Sequence, residues 1–346
     1  MRFGSLETPG QRMEAVKTAI RELDLKRVPK DLIENLVRLG DTPHFSHSLA
    51  VGVGVRHVLK NTGIITAPSM DSKSTVEVDK SAIATGALLH DIGKCGPPGI
   101  EYEDGKNPFV IVYGLVFSRP EFMEIAETDD PKEGSPSKIQ LSTFLNHLVR
   151  EKCVTRPEAR LIFQETRKVI NRLNPEDVTL RDFYNAHVIW TRQHLNRRGI
   201  HHDTFLAAGG HHAARRFRFP NTDDRHSDEH AVRAGKLVEV VDSMQAVTGR
   251  RERGRDLMTF DEGLKGVQRM VRRASGLLGV IRMEYHEFLD DDGRRDLAEA
   301  LEAKRKEFER DGKKPKGNMR LGKDEIVRTG LLEEAMAIAN DSVATD

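Results

Sequence analysis

Residues 80–94 read KSAIATGALLHDIGK. From Ala82 to Leu89 the run is apolar on nearly all sides, so as a helix it must be covered all round. A chain carrying such a segment needs several further helices packed about it. At the end of the run stand His90 and Asp91, with Lys94 close behind. Neighbours in sequence point about 100° apart on a helix. His90 and Asp91 can therefore serve one site only if the helix ends there and the site straddles its end. An ionised aspartate among apolar side chains is costly unless it meets a cation. Taken alone, the pair also reads as a buried hydrogen-bonded couple with Lys94 as a bystander.

The rest of the chain supplies the helices. TPGQRMEAVKTAIRELDL opens on a Thr-Pro cap signal and spaces Met13, Val16, Ile20 and Leu23 helically. PKDLIENLVRLG has a proline at its start and Gly40 at its end. A third helix begins near Pro43 and stops at Gly63, and TAPSMDSKSTVEVD after it reads as a polar loop. From about Pro97 to Asn174 the character changes. EYEDGKNPFVIVYGLVF combines an Asp-Gly turn signal with a β-branched and aromatic run, which predicts a small hairpin near 100–117. Amphipathic helices follow in SKIQLSTFLNHLVREK and RPEARLIFQETRKVINRL, then buried ones in TLRDFYNAHVIWTRQHL, DTFLAAGGHH and HAVRAGKLVEVVDSMQAVTG, and a further helix in DEGLKGVQRMVRRASG. The remainder is a charged surface helix, a basic linker and a last helix in DEIVRTGLLEEAMAIAN. The expected fold is all-α, a helical bundle with a small β-hairpin in an insertion. The expected organisation is an N-terminal helical segment over 1–40, a catalytic domain over 41–285 with its insertion at about 97–174, and a charged helical tail over 286–346.

Composition narrows the class. Aromatic residues make up 5% and charged residues 32%, as in a well-solvated helical protein rather than a β-sandwich. No apolar run is long enough for a bilayer, and the first residues lack a signal-peptide core. Two cysteines, Cys95 and Cys153, give no disulfide framework, so a cytoplasmic protein is expected. A net charge of +1 does not describe a strongly basic nucleic-acid binder.

Ligand-type side chains recur inside the apolar helices. His47 opens the third helix, His187 interrupts FYNAHVIWTRQ, His211 and His212 end an apolar stretch after two glycines, and Asp242 interrupts LVEVVDSMQAV. With His90 and Asp91, that is five separate insertions of metal-ligand residue types into buried helices. A single such histidine is ordinarily a satisfied core residue; five insertions together point to a metal site. His44, His57, His147, His194 and His286 have no special context, and His201 and His202 read as exposed. His226 and His230 lie within reach of the site only if their loop folds over it. The cluster Arg215, Arg216 and Arg218, and Arg251 after Asp242, suit phosphate recognition, with solvated loop charge as the bland reading. RQHLNRRG at 192–199 reads as a surface face.

The order H…HD…H…HH…D resembles that of HD-domain metal-dependent phosphohydrolases, most closely the HD-GYP branch, whose members hydrolyse cyclic di-GMP. HDIGK stands at 90–94 as that family writes it, and VVDSMQAVTGRRERGR is similar to its ADxxDALTxxRPYR segment. The resemblance covers roughly 43–96 and 175–270. Where the family has HHExxDGxGYP this chain reads HHAARRFRFP, keeping Phe219 and Pro220 but losing the glycines and acids. A glutamate linked with a third metal is replaced by Pro43, which favours two metals. The resemblance implies that His47, His90, Asp91 and Asp242 hold one metal and Asp91, His187, His211 and His212 the other, with Asp91 bridging. It implies a metal-bridged hydroxide attacking a cyclic dinucleotide, Asp91 and Lys94 as catalytic residues, and Lys94, Arg215, Arg216, Arg218 and Arg251 on the substrate. Iron or manganese leads for such a shell, followed by zinc, nickel or cobalt. The partners expected are a small nucleotide, with no membrane or nucleic acid, a protein partner through the insertion or tail, and a second copy of the chain. The alternatives are a nucleotide or alarmone phosphohydrolase, a nuclease, or a degenerate binding protein.

Overall fold

The structure, a computed structural model, describes residues 8–60, 66–68, 75–77, 79–100, 106–118, 139–170, 174, 178–212, 229–248 and 331–342. Thr8 starts the first helix, α1 (Pro9–Glu22), with a capping box: its hydroxyl accepts from the Gln11 amide and its own amide donates to the Gln11 side chain. Val16 and Ala19 are fully buried along one side of it. The second, α2 (Lys30–Arg38), follows Pro29 and buries Leu32 and Leu36 before running into a 3₁₀ turn at Leu39–Asp41. α3 (His44–Lys60) is buried along almost its whole length. The central run forms α4 (Lys80–Leu89), capped by the Asp79 carboxylate on the Ala82 amide, and gives way to a 3₁₀ turn at Ile92–Cys95. Then come α5 (Pro108–Ser118), α6 (Leu141–Arg150), α7 (Arg156–Ile170), α8 (Leu180–Leu195), α9 (His202–Gly210), α10 (Glu229–Thr248) and α11 (Leu331–Ser342). The all-α expectation holds.

α4 is the hub. It packs between α3 and α9; α9 in turn meets α8 and α10, and α3 meets α10 and α11. One apolar core links these helices with α1 and α2 and includes Met336 and Ala339 of α11. A second core is built from α5, α6 and α7 on the outer side of α8, around Phe109, Tyr113, Phe144, Phe183 and Trp190. Backbone bonds clamp its base: the Leu141 amide donates to the Val178 carbonyl at 2.9 Å and the Leu180 amide to the Ile139 carbonyl at 2.8 Å. Through α8, that second core is attached directly to the helix that carries His187.

Two local expectations change. The apolar run FVIVYGLVF is helix, not a hairpin strand. Asn107 decides it: its side-chain oxygen accepts from the Phe109 and Val110 amides at 2.9 and 3.3 Å, and Pro108 occupies the first helical position. A run buried on all sides has no period to separate strand from helix. The antiparallel pair instead lies at Thr66–Pro68 and Thr75–Glu77, with Ala67 opposite Val76, inside the stretch read as loop.

Close approach sets the geometry around α4. A Cβ at Gly86 would stand 2.7 Å from both Ala207 Cβ and the Thr204 carbonyl, so the bare backbone of α4 at Gly86 lies directly against the Ala207 methyl and the backbone of α9. At Gly93 the constraint is tighter, with the His187 carbonyl at 1.9 Å and the Thr191 amide at 2.5 Å from such a Cβ. Thr191 fastens this contact: its hydroxyl donates to the His90 carbonyl and accepts from the Gly93 amide, both at 3.0 Å. Gly93→Ala forces the HD turn and α8 apart, an overpacking that costs about 1–3 kcal/mol. Urea unfolding of the variant checks this, and an unchanged midpoint contradicts it.

Candidate metal centre

Helix ends make the site. α4 stops at Leu89, so His90 is its C-cap and Asp91 starts the tight turn after it. His211 is the C-cap of α9 in the same way. His47 lies in the first turn of α3, His187 in the middle of α8, and Asp242 on α10. All five, with Asp91, are buried.

The histidines are oriented by their outer nitrogens. His90 Nδ1 donates to the Ala87 carbonyl at 2.7 Å, His211 Nδ1 to the Ala208 carbonyl at 2.6 Å, and His187 Nδ1 to the Tyr184 carbonyl. Each acceptor lies three residues back on the same helix. His47 Nδ1 meets the Gln245 side-chain oxygen of α10 instead. A proton held at Nδ1 leaves the Nε2 lone pair for a cation, and such partners commonly orient metal-bound histidines.

The Nε2 atoms converge. His47 and His90 Nε2 are 3.3 Å apart, and Asp242 Oδ1 is 2.8 Å from the first and 3.8 Å from the second. His187 and His211 Nε2 are likewise 3.3 Å apart. Ring nitrogens facing one another this closely repel unless a proton or a metal ion lies between them. Asp91 sits between the two pairs with its oxygens divided. Oδ1 faces His187 Nε2 at 3.4 Å, whereas Oδ2 faces His90 Nε2 at 3.5 Å and His47 Nε2 at 3.8 Å. Three sets have donor atoms all within 4.8 Å of one another: His47, His90 and Asp242; His187, His211 and His212; and His90, Asp91 and His211. This N/O donor set is compatible with divalent metal ions.

Burial pushes the Asp91 carboxyl up, yet Lys94 first, then His90, His187 and His47, outweigh it and hold it well below the usual carboxylate range. Lys94 Nζ lies 2.5 Å from Asp91 Oδ2. Burial drives His187 down to about 4 and His211 well below its ordinary value, so both are neutral at pH 7 and ready to act as ligands. Asp242 resembles Asp91: burial raises it, and His47, His90 and His212 more than offset that.

The seven residues singled out as ligands in the sequence thus meet at one place. Lys94 is there too, buried. Arg215, Arg216, Arg218 and Arg251 lie outside the described residues, as do His226 and His286, and His230 lies in the first turn of α10. His44, given no special context above, is fully buried at the site, 2.9 Å from Lys94 Nζ through Nδ1. The stretch at 192–199 is only partly a surface face, because Arg192 Nε donates to the Gly209 carbonyl at 3.0 Å and buried His194 bonds the Gly96 carbonyl at 2.9 Å. Gln245 and Thr191 carried no signal in the sequence. His44 carried a weak one, its place one turn before His47. Cys95 packs as a small apolar group, its thiol donating to the Asn35 carbonyl and its pKa pushed up to about 12 by burial.

Comparison with known families bears on this geometry. Residues 44–136 match the HD-domain family model. The matched stretch contains His44, His47, His90, Asp91 and Lys94, and ends before His187. An HD domain implies metal-dependent phosphohydrolase chemistry, with which the His/Asp cluster agrees. No curated protein and no solved structure shows significant similarity to the chain. Among the described residues no helix is long and apolar enough to cross a membrane.

The buried histidines make the metal-free chain acid-sensitive. His187 binds its proton at about 4 in the fold and at about 6.5 when unfolded, so between those values the unfolded state takes up more protons. Stability present above pH 6.5 is lost as pH falls toward 4, roughly 3 kcal/mol from this residue. Thermal melts of chelator-treated protein across that window should show the decline, and a flat profile contradicts it.

Proposed function

We propose that the chain is a metal-dependent phosphodiesterase acting on a cyclic dinucleotide of the cyclic di-GMP kind. The observation that carries the two-ion part of this reading is the division of Asp91, with one oxygen toward His187 and the other toward His47 and His90. In this reading His47, His90, Asp91 and Asp242 would hold one ion, and Asp91, His187, His211 and His212 the other. The ions, when bound, would supply Lewis acidity toward phosphoryl oxygens and a water acidic enough to attack at neutral pH. Iron(II) or manganese(II) suits this histidine-rich set better than magnesium, which prefers oxygen ligands.

The chain's own residues divide the remaining tasks. Asp91, kept ionised by Lys94, bridges the two halves of the site. The carbonyls of Ala87, Tyr184 and Ala208 hold three rings in fixed tautomers. Lys94 carries a positive charge beside the bridging carboxylate, where it can offset charge gathering on a non-bridging phosphate oxygen. Arg215, Arg216, Arg218 and Arg251 supply forked donors for the phosphates of the substrate. The missing glycines and acids in HHAARRFRFP favour a second substrate, another phosphorylated nucleotide, at the same site.

Protein reconstituted with Fe(II) or Mn(II) under anaerobic conditions should convert cyclic di-GMP to the linear dinucleotide or GMP. Asp91→Ala should lower the rate by roughly a hundredfold or more. Turnover of other nucleotides without any on cyclic di-GMP would transfer the reading to the second substrate.

A further inference from the structure

Lys94 has a second anchor besides Asp91. Its ammonium donates to Asp91 Oδ2 at 2.5 Å and to His44 Nδ1 at 2.9 Å. All three side chains are buried, His44 completely. A lysine reaches its site on four rotatable bonds, so one contact leaves the ammonium free to swing about that partner. Two acceptors on different elements, α3 and the HD turn, fix it. His44 is in turn held: Tyr113 of α5 stands edge-on to its ring, with centroids 6.4 Å apart, and edge-on to His187 at 6.3 Å. The Tyr113 hydroxyl is tied to the Phe183 carbonyl at 2.7 Å, so this wall of the site belongs to the second core.

We infer that His44 is a positioning residue: as an acceptor at Nδ1 it fixes the Lys94 ammonium beside the Asp91 carboxylate, where that charge can meet a phosphate oxygen of the substrate. The inference rests on the phosphohydrolase reading of the site but not on which nucleotide is cleaved. His44 touches neither phosphate nor metal in this role. It acts through Lys94, so removing either member should have the same effect, and removing both should add little.

The test is a double-mutant cycle read by inorganic phosphate binding to the full, Mn(II)-loaded chain in calorimetry. His44→Leu removes the acceptor at similar volume, and Lys94→Met removes the ammonium. His44→Asn restores an acceptor oxygen near the position of Nδ1. Each of the first two should weaken phosphate binding about tenfold, the double variant should also lose about tenfold rather than a hundredfold, and His44→Asn should bind within about threefold of the parent. Manganese content measured alongside should be equal in all variants. Phosphate binding by His44→Leu equal to the parent, losses that multiply in the double variant, a loss accounted for by missing manganese, or a parent that binds no phosphate would each overturn the inference. Phosphate coupling as described in a protein that cleaves no nucleotide would leave the role of His44 standing and sink the phosphodiesterase reading instead.

Discussion

A carboxylate buried in the middle of an apolar bundle has to be neutralised, and the structure is organised around how Asp91 is. Lys94 reaches it from the same turn, and His47, His90 and His187 crowd it from three helices. With His187 neutral at pH 7, a cation already beside Asp91 is the Lys94 ammonium, which engages Oδ2. The other oxygen faces His187 and the second histidine group. Buried polar groups gathered this closely are stabilised by further positive charge, which is the physical argument for metal ions.

The fold delivers these groups by ending helices where ligands are needed. His90 and His211 cap α4 and α9, and the two helices lie closely against each other at Gly86, which leaves no room for a side chain of its own. Capping positions leave backbone carbonyls one turn back unpaired with the helix beyond, and here His90 and His211 use Ala87 and Ala208 as acceptors. The same bond that completes the helix end also selects the ring tautomer. Thr191 and Gly93 then lock the HD turn to α8, and this contact helps set the distance between Asp91 and His187.

Much of this is legible in the amino-acid sequence. The helices follow from apolar spacing and caps, and the ligand-type residues stand out because buried helices otherwise exclude them. What was not legible depends on partners distant in sequence. Gln245 approaches His47 only because α3 and α10 pack together, and nothing around Thr191 distinguishes it from any other helical threonine. His44 gains its role from Lys94, fifty residues away. The expected hairpin at 100–117 failed for a local reason: β-branched and aromatic residues describe a buried surface as well as a strand, and the Asn107–Pro108 start was the stronger signal.

The central claim is that Asp91 joins two metal positions, and metal stoichiometry tests it most directly. Protein isolated without oxygen and analysed by mass spectrometry for bound metals should carry two divalent ions per chain, with Asp242→Ala reducing that to one. A parent chain that binds one ion or none, or an Asp242→Ala variant that still binds two, would contradict the account.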